Sequence, residues 1–390
     1  MALADRWLLP DGVKEVLAPD AHYVEALRRR MLDLYHRWGY ELVMPPLMEH
    51  LDSLLTGVGR DLDLNTFKLT DQLSGRTLGV RADITPQVAR IDAHRMHTEG
   101  VNRLCYCGSV LHTHPAQPLA SRNPTQVGAE IYGHAGIESD LEVISLMLET
   151  LAEVKADHDL SLDLGHVDIF GGLMAAAALD GAQQAEYRDI LERKALPELA
   201  QFVDTLDGPQ VRGWLAELPR MIGGVEVLAR AQQVFAEAPA QVAEALQYLQ
   251  RLADTLQARY PQLDLYFDLS ELRGYNYHTG VVFAAYVPTH GQAVAKGGRY
   301  DEIGRDFGRA RPATGFSADL KTLAELSREP VSMAPVVVAP AGEDESLLRA
   351  IRDLRAQGER VVQALPGAAQ EDAYSHQLVL REGQWVIAKR

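Results

Sequence analysis

The chain has 390 residues, 47% of them hydrophobic and 24% charged, which is ordinary globular composition with room for one large domain and a smaller one. A formal charge of −16, with no stripe of interleaved basic and aromatic residues to offset it, weighs against a nucleic-acid partner. No apolar run is long enough to cross a bilayer, no basic-then-apolar leader opens the chain, and the two cysteines, Cys105 and Cys107, stand too close together to staple a fold, so a cytoplasmic protein with no membrane partner is expected.

Val24, Leu27, Met31, Leu34 and Trp38 recur at helical spacing and predict an amphipathic helix from about Ala21 to Trp38, stopped by Gly39. A strand follows over Tyr40 to Met44 and ends in Pro45-Pro46. Thr66 to Leu69 and Thr77 to Ala82 read as strands joined by a turn at Ser74-Gly75. Thr85 as N-cap and Pro86 at the first helical position open a helix to about Met96. Arg103 to His112 and Thr125 to Tyr132 read as two strands around a proline-rich loop. Ser139 with Glu142 forms a capping-box pattern for a helix to about Val154.

Residues 171–258 turn Ala-, Leu- and Gln-rich, the texture of a helical insertion. Strand signals return at Leu263 to Asp268 and Val281 to Val287, and a helix is predicted over Ser317 to Leu326. Residues 331–390 hold a strand at Val336 to Ala339, a helix from about Glu345 to Gln357 and a terminal hairpin. The expected fold class is α+β: a mostly antiparallel sheet flanked by helices over residues 1–330, then a small α/β domain over 331–390.

No Walker loop, dinucleotide fingerprint, zinc-protease helix or nucleophile elbow occurs. Cys105, Cys107, His112 and His114 are metal-ligand types. On one continuous strand, however, the cysteines would point to one face and the histidines to the other. A tetrahedral site needs four ligands converging at about 2.0–2.3 Å, so no metal and no cofactor is expected.

Five segments, in order, resemble the class II aminoacyl-tRNA synthetase core, and specifically histidyl-tRNA synthetase. The first helix, strand and Pro46 resemble that class's dimer-forming first motif. Val80-Arg-Ala-Asp83-Ile-Thr85 and Gln126-Val-Gly-Ala-Glu130 resemble the segments lining the family's histidine site. Leu272-Arg273-Gly-Tyr-Asn-Tyr277-His278-Thr-Gly280 resembles its histidine signature. Gly297-Gly-Arg-Tyr-Asp301 with Gly315-Phe316 resembles the lead-in to the third motif. The resemblance implies a histidine site of Asp83, Thr85, Gln126, Glu130, Arg273, Tyr277 and His278. In chemical terms, Asp83 and Glu130 with Thr85 and Gln126 can accept an ammonium, and Arg273 can hold a carboxylate. Glu130 with Tyr277 or His278 can meet an imidazole.

Two positions depart from the synthetase pattern. The second-motif arginine and its acidic neighbour align with His112 and His114, and the third-motif arginine aligns with Thr322, beside Lys321. Imidazole lacks the permanent planar charge that guanidinium offers a phosphate. Arg122 alone remains as a possible remnant of the second-motif loop. Residues 331–390 are also shorter than the family's anticodon-binding domain, so no tRNA partner is expected. This pattern is similar to the regulatory-subunit family of short-form ATP phosphoribosyltransferase, which has no catalytic residues of its own. The similarity implies a catalytic-subunit partner in a hetero-octamer, a homodimer through the first motif, and L-histidine as feedback ligand. A working histidyl-tRNA synthetase with altered ATP ligands is the first alternative, a free-standing histidine-binding sensor the second, and a tRNA-modifying or amino-acid-transferring paralogue that uses ATP the third.

Overall fold

Apolar residues on one face of helix α1 (Asp20–Arg37) bury Leu27, Met31, Leu34 and Tyr35 against the main sheet, with Val24 and Trp38 packed at the margin. The computed structural model describes residues 7–56, 60–96, 98–115, 120–156, 159–271, 277–327, 334–367 and 374–390. The short strand β1 (Glu41–Leu42) follows, then β2 (Met48–His50), α2 (Leu51–Leu54) and α3 (Arg60–Asn65). The strands β3 (Phe67–Thr70) and β4 (Thr77–Val80) complete a three-stranded sheet with β2. Helix α4 (Thr85–Ile91) continues as a π-helical turn over Asp92–Met96.

Strands β5 (Asn102–Ser109) and β6 (Thr125–Tyr132) precede helix α5 (Ile137–Ala152) and strand β7 (Ser161–His166). The Ala- and Leu-rich stretch then folds as α6 (Val167–Ala177), α7 (Gly181–Glu192), α8 (Leu196–Asp204), α9 (Pro209–Glu217), α10 (Glu226–Val234) and α11 (Ala240–Arg259). The two-residue strand β8 (Ile222–Gly223) interrupts it. The sheet resumes with β9 (Asp264–Asp268), β10 (Val281–Tyr286), β11 (Ala295–Arg299) and β12 (Ala313–Asp319), ahead of α12 (Leu320–Leu326).

The nine-stranded sheet runs β1-β5-β6-β12-β11-β10-β7-β9-β8, antiparallel throughout except at β1–β5 and β7–β9. One face carries the main core, where Phe316, Phe283 and Leu164 meet the helices. A smaller cluster of Ile84, Val88, Leu104, Tyr106 and Tyr300 lies on the other side. Contacts divide the chain into residues 1–329 and 330–390. The second unit has its own core of Val337, Ala339, Leu347, Ile351, Val361 and Leu378. It consists of β13 (Val336–Ala339), α13 (Glu345–Ala356), β14 (Arg360–Gln363), β15 (His376–Arg381) and β16 (Gln384–Lys389). Among the described residues, no helix is long and apolar enough to cross a membrane.

Four local expectations are corrected. Thr85 does not cap α4; it is the first residue of the helix, its N–H donates to the Asp83 carboxylate at 2.9 Å, and its hydroxyl donates to Glu130 at 3.1 Å. Ser139 and Glu142 form no capping box. The Ser139 hydroxyl donates to the Gly136 carbonyl at 2.8 Å, while the Glu142 carboxylate accepts from Arg103 at 2.6 Å. Ser317 to Asp319 are strand rather than helix. Strand β5 ends at Ser109, so face parity never reaches His112. Cys105 and Cys107 pack with the main core, and burial pushes their thiols up, to about 12 and about 11.

Candidate functional site

Antiparallel register sorts the central strands into rows whose side chains share a face. Glu130, Gly315, Gly298, Val282 and Gly165 stand opposite one another across β6, β12, β11, β10 and β7. Two residues along, the row is Gly128, Ser317, Lys296, Ala284 and Asp163. Small residues dominate both rows, so the sheet offers a low floor on the face opposite the main core. Larger side chains reach in over that floor from its ends. His278 lies across Gly298, where an added Cβ would meet its ring at 2.6 Å. Tyr277 stands 4.2 Å from the His278 ring centroid and Tyr300 stands 6.3 Å from it.

Glu130 forms the closed end of this pocket and is 1% exposed. Its Oε1 accepts from the Tyr106 hydroxyl at 2.9 Å and the Thr85 hydroxyl at 3.1 Å. Oε2 is buried without a hydrogen-bond partner among the described residues, and so is the hydroxyl of Tyr300. A side chain at Gly315 would overlap both of these groups. Burial, reinforced by the nearby Asp83 charge, pushes the Glu130 carboxyl well above the usual carboxylate range, despite the Tyr106 and Thr85 hydrogen bonds. A buried acceptor and a buried donor left open together are costly unless a ligand or water meets them, which marks this end as a polar binding site.

Asp83 stands on the rim. Its Oδ1 accepts from Thr85 N–H and, at 2.8 Å, from the Gln126 side-chain amide, whose own oxygen accepts from Ile84 N–H at 2.8 Å. Gln126 therefore holds the 83–85 turn and does not line the pocket, whereas Asp83, Thr85, Glu130, Tyr277 and His278 do. Arg273 lies outside the described residues. Sequence reading passed over Tyr106, Tyr300, Asp163 and Lys296. Row register is the signal that finds the last two, and it becomes readable only once the strands are paired.

The positions matching the synthetase phosphate ligands are engaged elsewhere. His112 Nε2 donates to the Ala82 carbonyl at 2.9 Å. The Thr322 hydroxyl donates to Asp319 at 2.9 Å, and Lys321 Nζ donates to the Asn123 carbonyl at 2.7 Å. Arg122 donates to the carbonyls of His112 and Asp11, each at 3.0 Å, and packs its guanidinium over Phe67. Gly12 adopts a left-handed φ of +75°, and an added Cβ would meet the Arg122 stem at 2.9 Å. His112, Lys321 and Arg122 each fasten one segment to the backbone of another, while Thr322 braces the Asp319 carboxylate.

A family model described as Histidyl-tRNA synthetase matches residues 12–323, and one described as ATP phosphoribosyltransferase subunit HisZ C-terminal domain matches residues 334–388. A protein of Stutzerimonas stutzeri named ATP phosphoribosyltransferase regulatory subunit is 55% identical over 100% of this chain and 99% of its own length. The chain belongs to the ATP phosphoribosyltransferase regulatory subunit family. A second relative of that name, from Thioalkalivibrio sulfidiphilus, is 57% identical over 94% of this chain and 93% of its own. A solved structure from Bacillus halodurans, titled an ATP phosphoribosyltransferase regulatory subunit/histidyl-tRNA synthetase, superposes with a TM-score of 0.82. It is 26% identical and covers 94% of this chain and 95% of its own. The fold is that of the class II synthetase core. The two matches together place a synthetase-like core ahead of a C-terminal domain of the regulatory-subunit type.

Proposed function

We propose that this chain is the non-catalytic regulatory subunit of a short-form ATP phosphoribosyltransferase, acting in the cytoplasm at the first step of L-histidine biosynthesis. It binds L-histidine in the Glu130 pocket, stimulates the catalytic subunit by assembling with it into a hetero-octamer, and carries feedback inhibition. The homodimer within that assembly forms through the first-motif region. Glu130 and Tyr300 meet the imidazole, with His278 and Tyr277 above it, and Asp83 and Thr85 receive the ammonium. The family resemblance adds Arg273 as one partner for the carboxylate.

The observation that carries this reading is the contrast between two neighbouring regions. The amino-acid end keeps an open, buried acceptor–donor pair, while every described group at the phosphate positions is used on the protein itself. Adenylate chemistry needs cations preorganised around the phosphates, and His112, Thr322, Lys321 and Arg122 are not so placed. The isolated chain should therefore bind L-histidine by calorimetry and give no histidine-dependent ATP–pyrophosphate exchange. Added to the catalytic subunit, it should raise phosphoribosyltransferase turnover and make that turnover sensitive to histidine. Exchange at synthetase-like rates, or no effect on the catalytic subunit, would overturn the assignment.

A further inference from the structure

We propose that Lys296 reads the α-carboxylate of the amino-acid ligand and makes the pocket selective for an intact amino acid over its decarboxylated or reduced analogues. This deepens the histidine-binding reading above and rests on it.

Glu130 lies on the first row of the floor. Asp83 is tied by the Gln126 amide, at 2.8 Å, to the far side of the second row. A ligand with its imidazole at Glu130 and its ammonium at Asp83 holds its α-carbon over Ser317, because the Tyr106 side chain covers Gly128. The remaining substituent then points away from β6, along the second row toward β11. Ser317 pairs with Lys296 in that direction, and Lys296 pairs onward with Ala284. The α-carbons of Glu130 and Lys296 are separated by about 10 Å across two strand spacings and about 7 Å along the strand. The flexible four-carbon lysine stem spans part of that gap and an amino acid the rest.

Charge leads to the same residue. The described pocket lining is rich in carboxyl groups, those of Asp83, Glu130, Asp163, Asp268 and Glu271. Among the described lining residues, Lys296 is the one lysine or arginine. It is exposed, and among the described residues no carboxylate holds its ammonium in an ion pair. Lys321 and Arg122, by contrast, are held by backbone carbonyls. Lys296 is therefore a cation at the mouth of an acidic pocket, on the row where the ligand's anionic end must fall.

The test is calorimetry of the full chain with L-histidine, L-histidinol and histamine, for the wild type and for Lys296→Met and Lys296→Arg. Lys296→Met should weaken L-histidine about ten- to a hundredfold, the loss of one charge-assisted contact. It should change histidinol and histamine less than twofold, and Lys296→Arg should recover most of the histidine affinity. Equal losses for all three ligands would make Lys296 a packing residue, and unchanged histidine affinity would leave the carboxylate to Arg273; either result overturns the inference. Wild-type protein that binds none of the three would refute the histidine reading itself.

Discussion

Glu130 carries two opposed demands, because the carboxylate that serves a ligand burdens the empty fold. In the unfolded chain its pKa sits near 4.5, and in the folded chain burial raises it well above that value. Between the two pKa values the native state binds the proton more tightly than the unfolded state, so stability falls as pH rises through that window. Replacing Glu130 with Gln removes the titration and keeps the shape. Thermal unfolding of the ligand-free protein should show the variant gaining on the wild type as pH rises from about 4.5, with no gain below it. The same variant should lose roughly ten- to a hundredfold in histidine affinity. In the reconstituted phosphoribosyltransferase, its histidine inhibition midpoint should move by the same factor while stimulation survives. A variant that gains nothing on the wild type across this window, or an unmoved midpoint, would contradict the account.

At the level of elements, strand β12 sets the width of the pocket. Gly315 lies opposite Glu130, and the Glu130 carboxylate and Tyr300 hydroxyl occupy the space a side chain there would take. Gly315→Ala should abolish measurable histidine binding in calorimetry while costing the fold about 1–3 kcal/mol in denaturant unfolding, since the displaced groups are pushed off their rotamers. Binding within threefold of wild type would place the ligand away from Glu130. This strand also shows where sequence reading fails. Helix α1 and strand β6 were legible because their apolar residues recur at the right period. Ala295 to Arg299 contains two glycines and a lysine with no β-branched or aromatic residue, and β12 sets Thr314 and Phe316 among glycine, alanine and small polar residues, so the strand signal is weak in both. They are strands because their neighbours pair with them, and they are small because the site's side chains lie across them. Thr85 illustrates the same conflict: its cap propensity is overridden because its hydroxyl is used on Glu130. Gln126 was readable as a site residue from its motif, but its task of holding Asp83 depends on a contact 43 positions away.

For the molecule as a whole, the helix expected to supply a dimer surface is largely consumed inside the chain, since Leu27, Met31 and Leu34 are buried there. The apolar surface left over lies just beyond it, at Met44 and Met48, which are 78% and 53% exposed, with Leu42 and Leu47 between and beside them. These residues flank Pro45-Pro46, whose carbonyls are fixed by Arg81 and Gln87 at 2.7 and 2.8 Å. A rigid apolar ridge of this kind suits a two-fold contact in which the same patch serves both partners. Light scattering should give the mass of a dimer at micromolar concentration, and Met44→Asp with Met48→Asp should shift it toward monomer; a wild type that runs as monomer would dispose of the interface. The fastenings at the positions that match the synthetase phosphate ligands also set what a substitution there would cost. Writing arginine back at 112 would strip the Ala82 carbonyl of its donor, and recruiting Arg122 would release the segment at Asp11. Either change would loosen the fold at these fastenings before any new contact with a phosphate could form.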